Sequence, residues 1–211
     1  MRNLLCASIL ALGLPLAASA GTATFDSSAE FSGVQGQDGW SYGYYAAPGD
    51  AATFVQMAHF SASGLPSIGD WWSEGAAIPP YTLLWADGGH PSSSPSAHWS
   101  VRRWTSGTAG VLDVAGSYGK LDTGTVTVHV LLDGVDVWNA PTSAASAGFA
   151  LQGVVGVGSE VDFVIDPHGT DPGDATRYVV TGTVSAVPEP ASVAMLLAGL
   201  AGIAGVRRRR S

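Results

Sequence analysis

The segment of residues 125–139, TVTVHVLLDGVDVWN, restricts the fold more than any other part of the chain. Every second residue from Val126 to Val130 is a valine, and this period of two is typical of a β-strand with one buried face. Asp133-Gly134 is a favoured two-residue turn between antiparallel strands. The segment therefore predicts a β-hairpin.

The rest of residues 21–186 also has the character of short β-strands and turns. Glycine, serine and threonine are abundant, prolines interrupt the sequence, and no stretch has a convincing helical period of 3.6 residues. Short strands separated by turn signals predict an all-β domain that forms a single, jelly-roll-like β-sandwich. Besides the hairpin, the predicted strands are Thr22–Phe25, Ser41–Tyr45, Thr53–Gln56, Thr82–Trp85, Ala97–Trp104, Gly110–Ala115, Phe149–Val155, Glu160–Ile165 and Arg177–Ser185.

The N-terminus has the three parts of a secretory signal peptide. Arg2 supplies the positive charge, Leu4 to Ala17 the apolar stretch, and Ala18-Ser19-Ala20 the small residues of a cleavage site. The alternative, a buried first helix, has no polar face to turn toward water. Residues 1–20 are therefore predicted to be removed. The chain's one cysteine, Cys6, is removed with them, so the domain folds without disulfides.

The C-terminus combines the most apolar and the most basic segments of the chain. Ala191 to Val206 would form a helix about 24 Å long, slightly shorter than a hydrocarbon core of about 30 Å. The run has no polar stripe, which argues against the alternative of an amphipathic core helix. It predicts a transmembrane helix whose basic end stays cytoplasmic, with the domain outside. The basic cluster that stops the helix is Arg207, Arg208, Arg209 and Arg210.

Residues 187–211 as a whole resemble the PEP-CTERM sorting signal of Gram-negative bacteria. The order is Val187-Pro188-Glu189-Pro190, then the apolar run, then the arginine cluster at the extreme terminus. The same segment is also called an ice-binding-protein C-terminal domain, a label that implies no ice binding. The resemblance implies recognition and cleavage by an exosortase after delivery by the secretion machinery. It also implies an exopolysaccharide-producing host and an inner-membrane-anchored intermediate that later reaches the cell surface or the matrix.

Charge excludes nucleic acid as a partner. Between Gly21 and Ala186, four basic residues oppose sixteen acidic ones, a formal charge of −12. A surface this acidic repels phosphate backbones.

The middle domain resembles carbohydrate-binding and galactose-binding-like jelly rolls. The resemblance rests on SVRRWTSGTAGVLDVAGS followed by GTVTVHVLLDGVDVW, paired strands in which a hairpin carries a tryptophan. It implies a sandwich that binds sugar, with exopolysaccharide as the expected ligand.

Aromatic side chains are the candidates for stacking on sugar rings. In GQDGWSYGYY, alternation puts three rings on one face of a strand and Tyr45 on the other. The alternative is that these rings fill the core of the sandwich. The candidates are Trp40, Tyr42, Tyr44, Trp71 and Trp72.

Two polar segments allow two interpretations each. The loop DPHGTDPGD carries Asp166, Asp171 and Asp174, and such oxygen-rich loops suit a structural calcium ion, although a solvated turn is the simpler interpretation. No other cofactor is predicted. In a strand, Arg102 and Arg103 place one guanidinium on each face. One interpretation is that an arginine here binds an acidic sugar, and the other is that it pairs with an aspartate.

No enzymatic motif accompanies these features. The chain has no H-E-x-x-H sequence and no G-x-S-x-G elbow, and no pair among its many acids is singled out as catalytic. The sequence predicts a non-enzymatic surface or extracellular-matrix protein. A carbohydrate-binding module is the alternative, and a secreted hydrolase, suggested only by the abundance of aspartate and histidine, is a third hypothesis.

Overall fold

A computed structural model of the chain describes residues 21–62, 70–72, 82–94, 96–141, 146–170, 172–187 and 199. Residues 21–186 form one compact unit. Its strands form two antiparallel sheets, so the predicted all-β sandwich is confirmed. From β8 (Trp99–Thr105) onward the chain alternates between the two sheets, except that residues 127–141 form a hairpin within one of them.

The smaller sheet has six strands, and the turn predicted from Asp133-Gly134 lies at its edge. Both turn residues have positive φ angles, 48° and 79°, as a type I′ hairpin requires. The pairing register shifts once, between Val130 and Leu131. In spatial order the strands are β11 (Val135–Pro141), β10 (Thr127–Leu132), β13 (Glu160–Asp166), β8, β2 (Trp40–Tyr45) and β3 (Phe54–Gln56).

The larger sheet has eight strands and carries both ends of the domain. Its first strand, β1 (Thr22–Asp26), pairs with its last, β14 (Thr176–Ser185), so that Thr22 lies opposite Ser185. The strands that follow each other in space are β12 (Ser146–Val155), β9 (Gly110–Lys120), β14, β7 (Gly88–His90), β6 (Leu83–Trp85), β5 (Asp70–Trp72) and β4 (His59–Ser61).

The six-stranded sheet carries apolar clusters on both faces. Its inner face contributes Trp40, Val128 and Phe163 to the main core between the sheets. A second cluster, formed by Tyr45, Val101, Leu131 and Val164, lies on the outer face beneath Ala51 and Phe54. The chain between β2 and β3 thus shields part of a face that would otherwise meet water.

The predicted strands agree with the structure to within a few residues, except that β9 extends five residues beyond the predicted Ala115. The strands β4, β5 and β7 were not predicted, because each is three residues long and too short to display alternation.

The termini lie largely outside the described residues. These include the predicted signal peptide, residues 1–20, and most of the predicted sorting segment, residues 188–198 and 200–211. In the part of the chain that is described, no helix has the length and apolar character needed to cross a membrane.

Candidate functional site

Three of the aromatic residues proposed for sugar stacking are core residues. Trp40 and Tyr42 are completely buried, and Trp71 is 5% exposed. Tyr42 stacks on Trp71 with ring centroids 5.6 Å apart. The alternation predicted for this strand is correct, but its three-ring face is directed at the other sheet. The rings of Trp40, Tyr42 and Trp71 therefore have no free face on which a sugar can stack.

The remaining two candidates differ. Tyr44 is half-buried and stacks on His98, with a centroid separation of 4.0 Å. Trp72 lies on β5 opposite His59, and its side chain is outside the described residues. Stacking by Trp72 remains a prediction.

Arg102 is a completely buried cation in the main core. Its guanidinium donates to the backbone carbonyls of Ser27 at 2.6 Å, Trp85 at 2.6 Å and Ala86 at 3.1 Å. The carbon of the guanidinium lies 4.6 Å from the ring centre of Tyr178, a cation–π distance. Arg102 therefore ties together three chain segments and is inaccessible to an acidic sugar.

Arg103 points to the opposite face, as the alternation predicts, and pairs with acids. Its Nε donates to Asp162 at 2.7 Å, its second guanidinium nitrogen binds the other carboxylate oxygen at 2.8 Å, and Glu160 lies 2.7 Å away. The Tyr45 hydroxyl donates to the same Asp162 carboxylate at 2.5 Å. Burial and the charge of Asp162 raise the pKa of Tyr45 above its ordinary value, which keeps the hydroxyl protonated as a donor. The network leaves Asp162 with no free oxygen for catalysis.

A polar patch with an aromatic ring lies on the outer face of the six-stranded sheet, at the end near β11. Half-buried Trp99 stacks on His129 with centroids 5.0 Å apart and planes inclined by 18°. The His129 ring lies between two carboxylates, with Nδ1 2.8 Å from Asp136 and Nε2 3.8 Å from Asp166. Asn139 donates to Asp136 at 3.1 Å. We call these five residues, from four strands, the Trp99 patch.

The two carboxylates set the charge of the patch. Burial disfavours protonation of His129, but interactions with the carboxylates of Asp166 and Asp136 outweigh it and raise the pKa of the imidazole. In the protonated ring Nδ1 donates to Asp136, and Nε2, 3.8 Å from Asp166, contributes a charge interaction with that acid. The result is a surface with one indole ring for an apolar contact, and with one amide and an acid–base pair that can bind hydroxyl groups.

This patch was not predicted from the sequence. Trp99 was not among the aromatic candidates, and no role was predicted for His129. Alternation in the hairpin does place His129 on the face opposite to Val128 and Val130, and register places it opposite Asn139. The contribution of β8 and β13 depends on long-range pairing, which a single sequence does not reveal.

An open groove of about 720 Å³ lies against the eight-stranded sheet. It is lined by Asp26, Glu30, Asp113, Gln152 and Thr181 among others, and the one ring in its lining, Phe25, is 3% exposed. The groove offers hydrogen-bonding groups without an aromatic platform, so the Trp99 patch is the better candidate for a sugar.

The acidic loop does not form a metal site with its described residues. Asp166 accepts from the backbone of His168 at 2.8 Å and faces His129, whereas Asp174 is a buried residue next to β14. Asp171 lies outside the described residues. Within the described ranges, no three His, Cys, Asp or Glu side chains converge enough to hold a metal ion.

Solved structures that match this chain do so with low sequence identity and low TM-scores. A carbohydrate-binding module of family 29 is 11% identical, and the match covers 79% of this chain and 94% of that one, with a TM-score of 0.38. A family 35 module from Paenibacillus barcinonensis is 15% identical, with 77% and 99% covered and a TM-score of 0.31. GITRL from pika is 10% identical, with 46% and 93% covered and a TM-score of 0.32.

Comparison by sequence identifies the C-terminal segment. No curated protein matches the chain. Residues 186–210 match the model of the PEP-CTERM protein-sorting motif, directly after β14 ends at Ser185. This match agrees with the tripartite order of Pro188-Glu189-Pro190, apolar run and arginine cluster. The chain therefore ends in a PEP-CTERM protein-sorting motif.

Proposed function

We propose that this protein is an exported substrate of an exosortase, delivered to the cell surface or the extracellular matrix, with no catalytic activity of its own. The observation that carries the proposal is the sorting motif at residues 186–210. Such a motif presents a membrane-inserting segment and a basic stop to a processing enzyme in the membrane.

The organisation of the sandwich supports removal of the motif after folding. The buried core residues run from Phe25 to Val184, so cleavage beyond Val187 leaves the core intact. Val187 is 63% exposed, which makes the start of the motif accessible. The sandwich is then the part of the protein that is delivered, and the motif is the signal that directs its delivery.

The test replaces Arg207 to Arg210 by serine in the native cells. Without the basic stop, we expect the chain to be exported but neither processed nor retained for sorting, so the amount at the surface falls and the intact mass keeps residues 187–211. The matched control is Arg177→Ser, which removes an exposed arginine of the sandwich that pairs with Asp87. Unchanged surface delivery and unchanged mass in the four-serine variant would contradict the proposal.

Carbohydrate binding is the second candidate function, and the Trp99 patch favours it. A half-buried indole ring beside an amide and a charged His–Asp group combines an apolar face for the sugar ring with partners for its hydroxyls. We propose the exopolysaccharide of the producing cell as the ligand. This candidate concerns the sandwich alone and is independent of sorting.

Affinity electrophoresis in gels that contain this exopolysaccharide tests the second candidate. We expect Trp99→Ala to weaken binding about fivefold, because ring contacts of this kind contribute on the order of 1 kcal/mol, and Trp99→Phe to retain most of it. Gln152→Ala, in the groove of the other sheet, is the control and should bind as the wild type does. No retardation of the wild type would exclude carbohydrate binding without affecting the sorting proposal.

A further inference from the structure

The outer edge of β12 is exceptional among the sheet edges of this molecule. An edge strand presents unpaired N–H and C=O groups that can pair with another chain, and proteins normally protect such edges by shortness, charge, proline or a bulge. Across the described strands, β3 and β4 are edges of only three residues, and β1 is a five-residue edge that ends on Asp26. The edge strand β11 carries Asp136 and Pro141 and faces the register shift in β10.

None of these protections occurs in β12. It has ten residues, SAGFALQGVV, without a charge or a proline. It pairs with β9 in one continuous register from Ser146↔Gly119 to Val155↔Gly110. Among the described residues, none forms a backbone hydrogen bond across its other edge.

Exposed apolar side chains gather on the same side of the sandwich. Val154 of β12 is 77% exposed, Val135 and Val137 of β11 are 64% and 46% exposed, and Val157 after β12 is 74% exposed. An apolar cavity of about 130 Å³, lined by Val137 and Leu151 among others, lies between the two edge strands. Exposed apolar groups beside an open strand edge are typical of an association surface.

We propose that β12 pairs with β12 of a second copy of this chain, antiparallel and about a two-fold axis, so that the two eight-stranded sheets become one. The charge of the sandwich opposes most contacts between two copies, and it opposes a contact through β12 least. A domain with a formal charge of −12 repels its copy, and β12 offers a contact of up to nine residues in which no two charges face each other. A two-fold axis perpendicular to the sheets keeps the inner faces of both sheets on one side. Each exposed residue of β12 therefore pairs with an exposed residue of the copy.

Single cysteines on the exposed face of β12 report this pairing directly. The full chain carries Cys6→Ala, so that the introduced thiol is its only one. Gly148→Cys, Ala150→Cys and Gln152→Cys place thiols at successive positions of one face, and at least one lies within reach of its counterpart across the two-fold. A bismaleimide with a reach of about 8 Å should give a covalent product of twice the chain mass for one or more of these variants.

Ala115→Cys is the matched control. Ala115 is exposed on β9 directly opposite Ala150, on the same face of the sheet. Its distance to its own copy in the proposed pair is at least three strand spacings, about 14 Å. We expect about tenfold less cross-linking from Ala115→Cys than from the best β12 variant, since its thiols cannot meet.

Sedimentation of the full chain provides a second readout. Ala150→Lys places two ammonium groups near each other in the pair and should convert the dimer to monomer, whereas Ala115→Lys should leave the dimer intact. Unfolding midpoints of both variants report whether each is folded. A folded wild-type chain that sediments as a monomer would overturn the proposal. So would cross-linking no stronger at β12 than at Ala115, or products at β12 of a mass other than twice the chain.

Discussion

Replacement of Arg102 by methionine lowers the free energy of unfolding by about 3–5 kcal/mol, the largest effect we expect from a single exchange in this molecule. The methionine fills much of the same space but donates nothing to the carbonyls of Ser27, Trp85 and Ala86. A buried ion pair can sometimes be replaced by apolar residues without loss, because both partners are exchanged together. Backbone carbonyls cannot be exchanged, so here the acceptors stay buried and unpaired.

Urea unfolding followed by tryptophan fluorescence measures this effect. Arg177→Met is the control, because Arg177 has a side chain that is 60% exposed and pairs with exposed Asp87. Its loss should stay within about 0.5 kcal/mol. Arg102→Lys keeps the charge but not the planar fork, and should fall between the two. A loss below about 1 kcal/mol for Arg102→Met would show that the three carbonyls find other donors.

Asp162→Ala should destabilise the protein by a similar amount, about 3–5 kcal/mol. The Asp162 side chain is 2% exposed and accepts two hydrogen bonds from Arg103 and one from Tyr45. Its removal leaves a guanidinium that is only 11% exposed with a single acid, Glu160, and leaves a completely buried hydroxyl without its acceptor. Both groups then lose the partner that offset their transfer from water.

Glu160→Gln is the matched control within the same network. Glu160 contacts the same guanidinium at 2.7 Å, but its side chain is 41% exposed, and ion pairs of that kind contribute about 0–1 kcal/mol. Equal losses from Asp162→Ala and Glu160→Gln in urea unfolding would contradict the view that burial of Asp162 decides the effect.

The sequence predicts well what depends on local pattern. The valines from Val126 to Val130 and the turn at Asp133-Gly134 determine the hairpin because alternation and turn chemistry act within a few residues. The opposite orientations of Arg102 and Arg103 follow from the same alternation. The sorting motif is likewise readable because it is a linear pattern.

What the sequence could not reveal is which face of a strand meets water. Trp40 and Tyr42 share a face, as predicted, but an exposed aromatic platform and a core give the same alternation. The second apolar cluster around Tyr45 makes both faces of that strand apolar, so hydrophobicity does not distinguish them. The Trp99 patch depends on the relative register of four strands, and long-range pairing is invisible in a single sequence.

The pairing of the first strand with the last has a consequence for the order in which the molecule forms. Thr22 pairs with Ser185, so β1 can pair with β14 only after nearly the whole domain is available. A polypeptide that emerges from a translocation pore with its N-terminus first cannot complete the sandwich stepwise. The pairing of β1 with β14 becomes complete only when the chain has emerged as far as residue 186, where the matched motif begins. The last pair of the larger sheet and the first residue of the matched sorting motif are thus joined by a single peptide bond.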